Sequence, residues 1–395
     1  MNRGTRELLA ATLKMQGGLL RVKPAIVSRN SYSGRGLFAT SQSAHHSGTR
    51  RDGYVPVEWW ILSPIQADNP ERIPGEGISQ LVLDDGGLVP LTEAVEAAEQ
   101  KLFGSFLGRW PLTKILDVGG LTVLPDFSSE PEEPPIPPHV HSGAIVNFRA
   151  CPPGKIEAYF FPPVDVPPFN LNPGSVKTRL GLRPEARRAD FVDSLSAFGR
   201  SDRMYRLLHE YPVVPYDGWT IHPGTVHAPG PWPTLEIQTP QDDFNLAAWQ
   251  LGQRLNGKGL EAGIQSMVLR GLPSLDAFAD QLVDWNLLSW DQFRQRFFRP
   301  AQVIEQGPWG RRLQIFFHQF YGEALELNPG SAWRRAADDR PWGGIIWSGS
   351  GAVNGLALSA EADSHREFFC TPGHAVRITN SGSSMLILYV VYPMP

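Results

Sequence analysis

Cysteine is almost missing. The 395-residue chain carries two, Cys151 and Cys370, and two thiols cannot build the disulfide framework of a small secreted scaffold. Long apolar runs are missing as well, since no stretch approaches the roughly 20 residues a spanning helix needs. The N-terminal segment MNRGTRELLAATLKMQGGLL has neither a long apolar core nor an evident cleavage site, so a signal peptide is not expected and a cytoplasmic protein is. A bias of charge is absent too. The net charge is −4, and this balance gives no electrostatic reason to expect nucleic acid or an anionic membrane as partner.

Glycine and proline are what the chain has in excess, 39 and 36 residues spread along its length. They flank short apolar runs, the pattern of many short strands joined by turns. VPVEWWILS (55–63), WPLTKILD (110–117), GAIVNFRA (143–150), KIEAYFFPP (155–163), DGWTIHPGTVHA (217–228) and TLEIQTP (234–240) read as strands or strand pairs. So do LQIFFHQFYGEALELN (313–328), GGIIWSGSGAVNG, EFFCTPGHAVRI and MLILYVVYP in the last hundred residues. PLTEAVEAAEQKLFGSFLG places Leu91, Val95, Ala98 and Leu102 on one face of a helix. Residues 184–211 and 246–300 read as helical, with Ser274 as an N-cap. The fold class is therefore mainly β with helical insertions, built on barrels or sandwiches. WTIHPGTVHA (219–228) also lies over FFCTPGHAVR (368–377) with both Pro-Gly pairs in register. That short repeat points to two barrels, the second with Val376 where the first has His227.

Chemistry concentrates in PPHVHSGAIVNFRACPPGKIEAYFFPP (137–163). His139 and His141 are two apart and share a face on a strand. Glu157 is a lone carboxylate inside an apolar run, a costly burial without a compensating charge. With His227 the set offers three imidazoles and one carboxylate, which suits Zn, Mn, Fe, Co or Ni. Four protein ligands would leave positions open for substrate, as a catalytic metal requires. Lys155 lies on the same face as Glu157 and is a candidate for holding an oxyanion or shuttling a proton. Glu236 is a candidate general base or a partner orienting a ligand. His222 reads as structural or as a partner behind the ligands rather than a ligand itself, and His45 and His46 as solvated loop residues.

These segments resemble, in order, those of the type I mannose-6-phosphate isomerases. GRWPLTKILDVGGLTVLP…HVH is similar to the family's segment leading into its motif histidine. GKIEAYFF is similar to its Lys-x-Glu segment, and DGWTIHPGTVHAPGPWPTLEIQTPQDDF to its Gly-Thr-x-His-Ala block. VPVEWWILS is similar to its early strand, and the likeness spans about residues 54 to 250. It implies two cupin barrels (double-stranded β-helices) with one divalent metal, zinc first among the options, in the first barrel. By matching position it implies His141, Glu157 and His227 as ligands, with His139 in place of the motif glutamine. It implies interconversion of an aldose and a ketose, on a sugar or sugar phosphate. The family's arginine after its Ser–Asp pair is absent, since DDFNLAAW has Asn245 and Leu246 there. Arg149, Lys177 and Arg179 are the candidate replacements. The expected organisation is an arm (1–50), a metal-binding barrel (51–183 and 212–245), a helical insert (184–211), a helical segment (246–300) and a second, metal-free barrel (301–395). The competing readings are another cupin enzyme (lyase, epimerase or oxygenase) and a non-catalytic carbohydrate-binding cupin. No partner besides a small carbohydrate is expected.

Overall fold

The computed structural model describes residues 3–32, 34, 37, 54–118, 136–141, 154–164, 176–198, 201, 203–248, 261–362 and 365–395. The expected strand 143–150, His45, His46, Cys151 and Arg149 lie outside the described residues. The described strands form four antiparallel sheets that stack in sequence. The first sheet has five strands, in the order Leu208–Pro212, Lys177–Leu182, His227–Ala228, His139–Val140 and Asn245–Leu246. The second has six, ordered Gly218–Ile221, Glu157–Phe160, Thr234–Gln238, Leu112–Leu116, Val55–Ile61 and Ala25–Arg29. The third has nine and is centred on Gly310–Phe316, Gly322–Leu327, Leu386–Val391, Trp342–Ser348 and Glu367–Cys370. Ala332–Arg335, Val376–Asn380, Ser350–Val353 and Leu356–Ser359 make the fourth.

Alternation of side chains sorts these sheets into layers. On the second sheet, Tyr159, Trp219 and Ile221 pack toward Leu180 and Tyr211 of the first. Ala158, Phe160, Leu235, Ile237 and Ile115 point the other way, onto Ile345, Phe369 and Tyr389 of the third. The third sheet in turn packs Leu325, Phe368 and Leu388 against Trp333, Val353 and Ile378 of the fourth. Both faces of the second sheet are covered, so its strands Leu112–Leu116, Glu157–Phe160, Gly218–Ile221 and Thr234–Gln238 are buried at every position. That is why they read as nearly unbroken apolar runs. Any charge within them must face an internal cavity or a partner. Helices Arg188–Ser196 and Leu275–Leu282 bury Phe191, Leu195, Phe278 and Leu282 against Leu182, Leu208 and Leu246, closing the outer face of the first sheet. No helix among the described residues is long and apolar enough to cross a membrane.

The mainly β fold with helical insertions agrees with the sequence, and the expected cap holds: Ser274 accepts the Ala277 N–H at 3.1 Å. Three boundaries are corrected. Residues 3–29 are not an arm. Helix Arg3–Met15 leads into strand Leu19–Lys23 of the third sheet and strand Ala25–Arg29 of the second. The intervening Pro24 lets one short segment serve two sheets. Residues 208–211, read as helical, belong to strand Leu208–Pro212, because pairing with Lys177–Leu182 wins over local propensity. Strands Gln80–Val82 and Leu88–Pro90 extend the third sheet rather than the first barrel, since Leu81 and Val89 bury against it.

Candidate metal centre

His139 and His227 are direct partners across two strands of the first sheet. Glu157 faces them from the second sheet, where it pairs with Ile221 on one side and Gln238 on the other. His141 follows strand His139–Val140 and is fixed through its backbone. Its carbonyl accepts the N–H of Gly224 at 2.8 Å. Gly224 forms the Pro-Gly turn before His227 at φ +82°, and a Cβ there would press on the Asp284 backbone nitrogen at 2.9 Å. Glycine is thus required where the turn locks both histidine segments together.

The four side chains converge, with one candidate ligand atom from each lying within 4.8 Å of all the others. Nε2 of His141 is 3.1 Å from Glu157 Oε2, and Nε2 of His227 is 2.8 Å from Oε1. The imidazole centroids of His139 and His227 are 4.2 Å apart, and each is 5.1 Å from that of His141. The tautomers follow from the backbone. Nδ1 of His139 meets the Pro137 carbonyl at 3.0 Å, and Nδ1 of His227 meets the Thr225 carbonyl at 2.8 Å. A carbonyl only accepts, so Nδ1 carries the proton, and the neutral ring presents a bare Nε2 to the centre. Burial, followed by the neighbouring His227 and His141, pushes His139 well below the ordinary histidine range. Burial and the Lys155 charge bring His141 down to about 4. Burial alone would raise the Glu157 carboxyl, but Lys155 and the histidines hold it well below its usual range. Both nitrogens of His141, Nε2 of His227 and Glu157 Oε2 are buried without a hydrogen-bond partner among the described residues. Each neutral imidazole has one bare nitrogen, and those bare nitrogens gather around an ionised carboxylate. With one ligand atom from each residue, this set of N and O donors could hold a divalent metal.

Around this centre the structure places the two other sequence candidates. Lys155 Nζ is 3.1 Å from Glu157 Oε2 and buried. Glu236 lines the same cavity as His139, His141 and Lys155, which encloses about 50 Å³. Burial and the charge of Glu157 raise its carboxyl to about 8. His222 is half-buried against Phe297, with ring centroids 5.3 Å apart, and stands outside the cluster. Arg179 is committed to Glu210 at 3.1 Å, and neither it nor Lys177 lines the cavity.

The residues missed from sequence form a charged wall on that cavity. Arg29 reaches Glu58 Oε1 at 2.7 Å and Asp242 at 3.0 Å, and Lys114 Nζ is 3.2 Å from Asp242 and 3.8 Å from Glu236. Burial opposes ionisation of Glu58 and Asp242, yet Arg29 and Lys114 hold both carboxyls below their ordinary range. Tyr159 is also new. Its hydroxyl donates to Glu157 Oε1 at 2.6 Å and orients the carboxylate.

Solved structures carry the same architecture. Mannose 6-phosphate isomerase from Bacillus subtilis superimposes with a TM-score of 0.57 at 15% identity, covering 95% of this chain and all of its own (100%). A single-site variant of phosphomannose isomerase from Salmonella typhimurium does so with a TM-score of 0.57 at 12% identity, over 96% of this chain and 100% of its own. The fold is similar to that of the mannose-phosphate isomerases. At this identity the likeness establishes the fold alone. No protein-family model matches the chain, and no curated protein matches it in sequence.

Proposed function

We propose that the protein is a metal-dependent sugar isomerase that interconverts an aldose and a ketose, acting on a sugar or sugar phosphate. The observation that carries this reading is the meeting of bare imidazole nitrogens and an ionised carboxylate beside a buried lysine and a neutral-range carboxyl. His139, His141, Glu157 and His227 are the residues that would hold the ion, with zinc first and Mn, Fe, Co or Ni as the other options. A divalent cation there supplies polarisation of the carbonyl and adjacent hydroxyl oxygens of an open-chain sugar.

The chain's own groups account for the proton movements. Glu236, as the carboxylate, takes the C2 proton of the aldose, and the electrons of that C–H bond become the C1–C2 double bond of an enediolate. Returning the proton to C1, with a proton passing from O2 to O1, gives the ketose. Lys155 presents an ammonium to the oxygen that gains negative charge. Burial of Glu236 is useful here, because a base near neutral pH combines availability with proton affinity. Its ionised share grows as pH rises toward 8, so kcat/KM should climb over that interval.

Isotope exchange tests the reading. Metal-loaded protein is incubated in D2O with mannose 6-phosphate and, in parallel, with mannose. Deuterium should enter C2 with at least one of them. Glu236→Gln should lose on the order of 10²-fold or more in rate while retaining bound metal by elemental analysis. No exchange with either sugar, or full exchange in the glutamine variant, overturns the assignment.

A further inference from the structure

Beside the third and fourth sheets lies a second cavity of about 320 Å³, open to solvent and lined by Arg312, Tyr321, Glu323, Arg335, Asp338 and Arg340. Its place in the fold is fixed by strand register. Take the Pro-Gly repeat, which sets Ile221 against Cys370 and His227 against Val376. Ile221 pairs with Glu157, and Cys370 pairs with Trp342. His227 pairs with His139, and Val376 with Arg335. Following the ladders outward, Lys114 corresponds to Glu323 and Glu58 to Arg312. Three positions that line the first cavity (Glu58, Lys114 and His139) thus have counterparts that line the second. The metal donors Glu157 and His227 have become Trp342 and Val376, and the acid–base pair Glu58 and Lys114 has exchanged sign.

We propose that this second cavity is a metal-free binding site for a small organic anion, a carboxylate or phosphate ester on a sugar-sized body. Its acids are already committed. Glu323 is buried and accepts the Tyr321 hydroxyl at 2.7 Å and the Tyr392 hydroxyl at 3.3 Å. Asp338 is held by Arg335 and by Arg340, the latter at 3.1 Å. Each guanidinium carries five N–H donors, more than the one carboxylate, Asp338, that Arg335 and Arg340 share. Nε of Arg312 is buried 3.4 Å from the Glu305 carboxylate and 3.8 Å from that of Glu323, so the acids hold that edge of the fork, while the side chain as a whole is partly exposed and lines the cavity. Arg335 is pre-positioned by its stack on Tyr392 at 4.6 Å and on Trp342 at 5.3 Å. Rigid planar forks facing a cavity are suited to bidentate anion recognition, and the volume falls in the range of small-molecule sites. This site does not depend on the isomerase reading.

Calorimetric titration of the full chain with inorganic phosphate, mannose 6-phosphate, D-gluconate and neutral mannose tests it. The two charged sugars should bind, and neutral mannose should bind at least tenfold more weakly. Arg312→Gln with Arg340→Gln should weaken the charged sugars by roughly tenfold or more, with metal content and melting temperature unchanged. Glu157→Gln should leave that binding in place. Arg312→Lys, which keeps the charge and loses the fork, should fall between. Should the glutamine pair lower the melting temperature, density beside Arg312 in wild-type crystals soaked with mannose 6-phosphate decides the question. No heat with any charged probe, equal affinity in the paired variant, loss in Glu157→Gln alone, or an empty cavity after soaking overturns the proposal. Phosphate alone matching mannose 6-phosphate would overturn the sugar-sized body.

Discussion

Glu157 has four polar neighbours, two at each carboxylate oxygen: His227 and Tyr159 at Oε1, His141 and Lys155 at Oε2. Two imidazoles and an ammonium approach it, and the Tyr159 hydroxyl fixes Oε1. Removing that hydroxyl leaves the ligand set intact but lets the carboxylate turn. Tyr159→Phe should weaken metal binding by about 10- to 100-fold, measured by competition with a chromophoric chelator. Unchanged affinity would mean that the histidines alone orient the site. At this scale the sequence was informative wherever a residue contradicted its surroundings. His139, His141 and Glu157 did so by spacing and by charge in an apolar run, and the structure brings them to His227. Lys114, in WPLTKILD, carries the same signal as Glu157, a charge inside an apolar run. Arg29 and Asp242 had no such signal, because each is explained by a partner 213 residues away in the chain.

At the scale of elements, the buried charges act as fasteners between strands. Arg29 ends strand Ala25–Arg29 and joins it to Glu58 on strand Val55–Ile61 and to Asp242, while Lys114 adds strand Leu112–Leu116. Cutting one member leaves the others charged and buried. Arg29→Met should cost roughly 3–5 kcal/mol, read as a lower urea midpoint at unchanged slope. Strand existence was legible where turns and apolar runs mark it, as in Val55–Ile61 and Leu112–Leu116, but not in residues 19–29, which read as part of an arm. Strand allegiance was not legible. Leu19–Lys23 and Ala25–Arg29 look alike in sequence yet join different sheets, and Leu208–Pro212 became a strand only because Lys177–Leu182 offered an edge.

For the whole molecule, the deciding surface is the face shared by the second and third sheets. Glu367 sits in it, accepting the Trp59 indole N–H and the Leu62 backbone N–H, and burial raises its carboxyl to about 8. A carboxyl raised on folding binds its proton more tightly in the native state. Its contribution is therefore complete below its unfolded value near 4.5 and is lost as pH rises to about 8. Glu367→Gln should flatten the decline in melting temperature across that interval. An unchanged pH dependence in that variant would remove Glu367 as its source.

The same shared face has a consequence for a chain made from one end. Strand Leu19–Lys23 lies between Gln80–Val82 and Glu367–Cys370. Until the ribosome has delivered residue 370, one flank of that early strand has no neighbour, and its unpaired amides stand open to any passing strand. Synthesis must therefore carry an unfinished, adhesive edge for most of its course, a window in which a holding chaperone would matter more than at any later time.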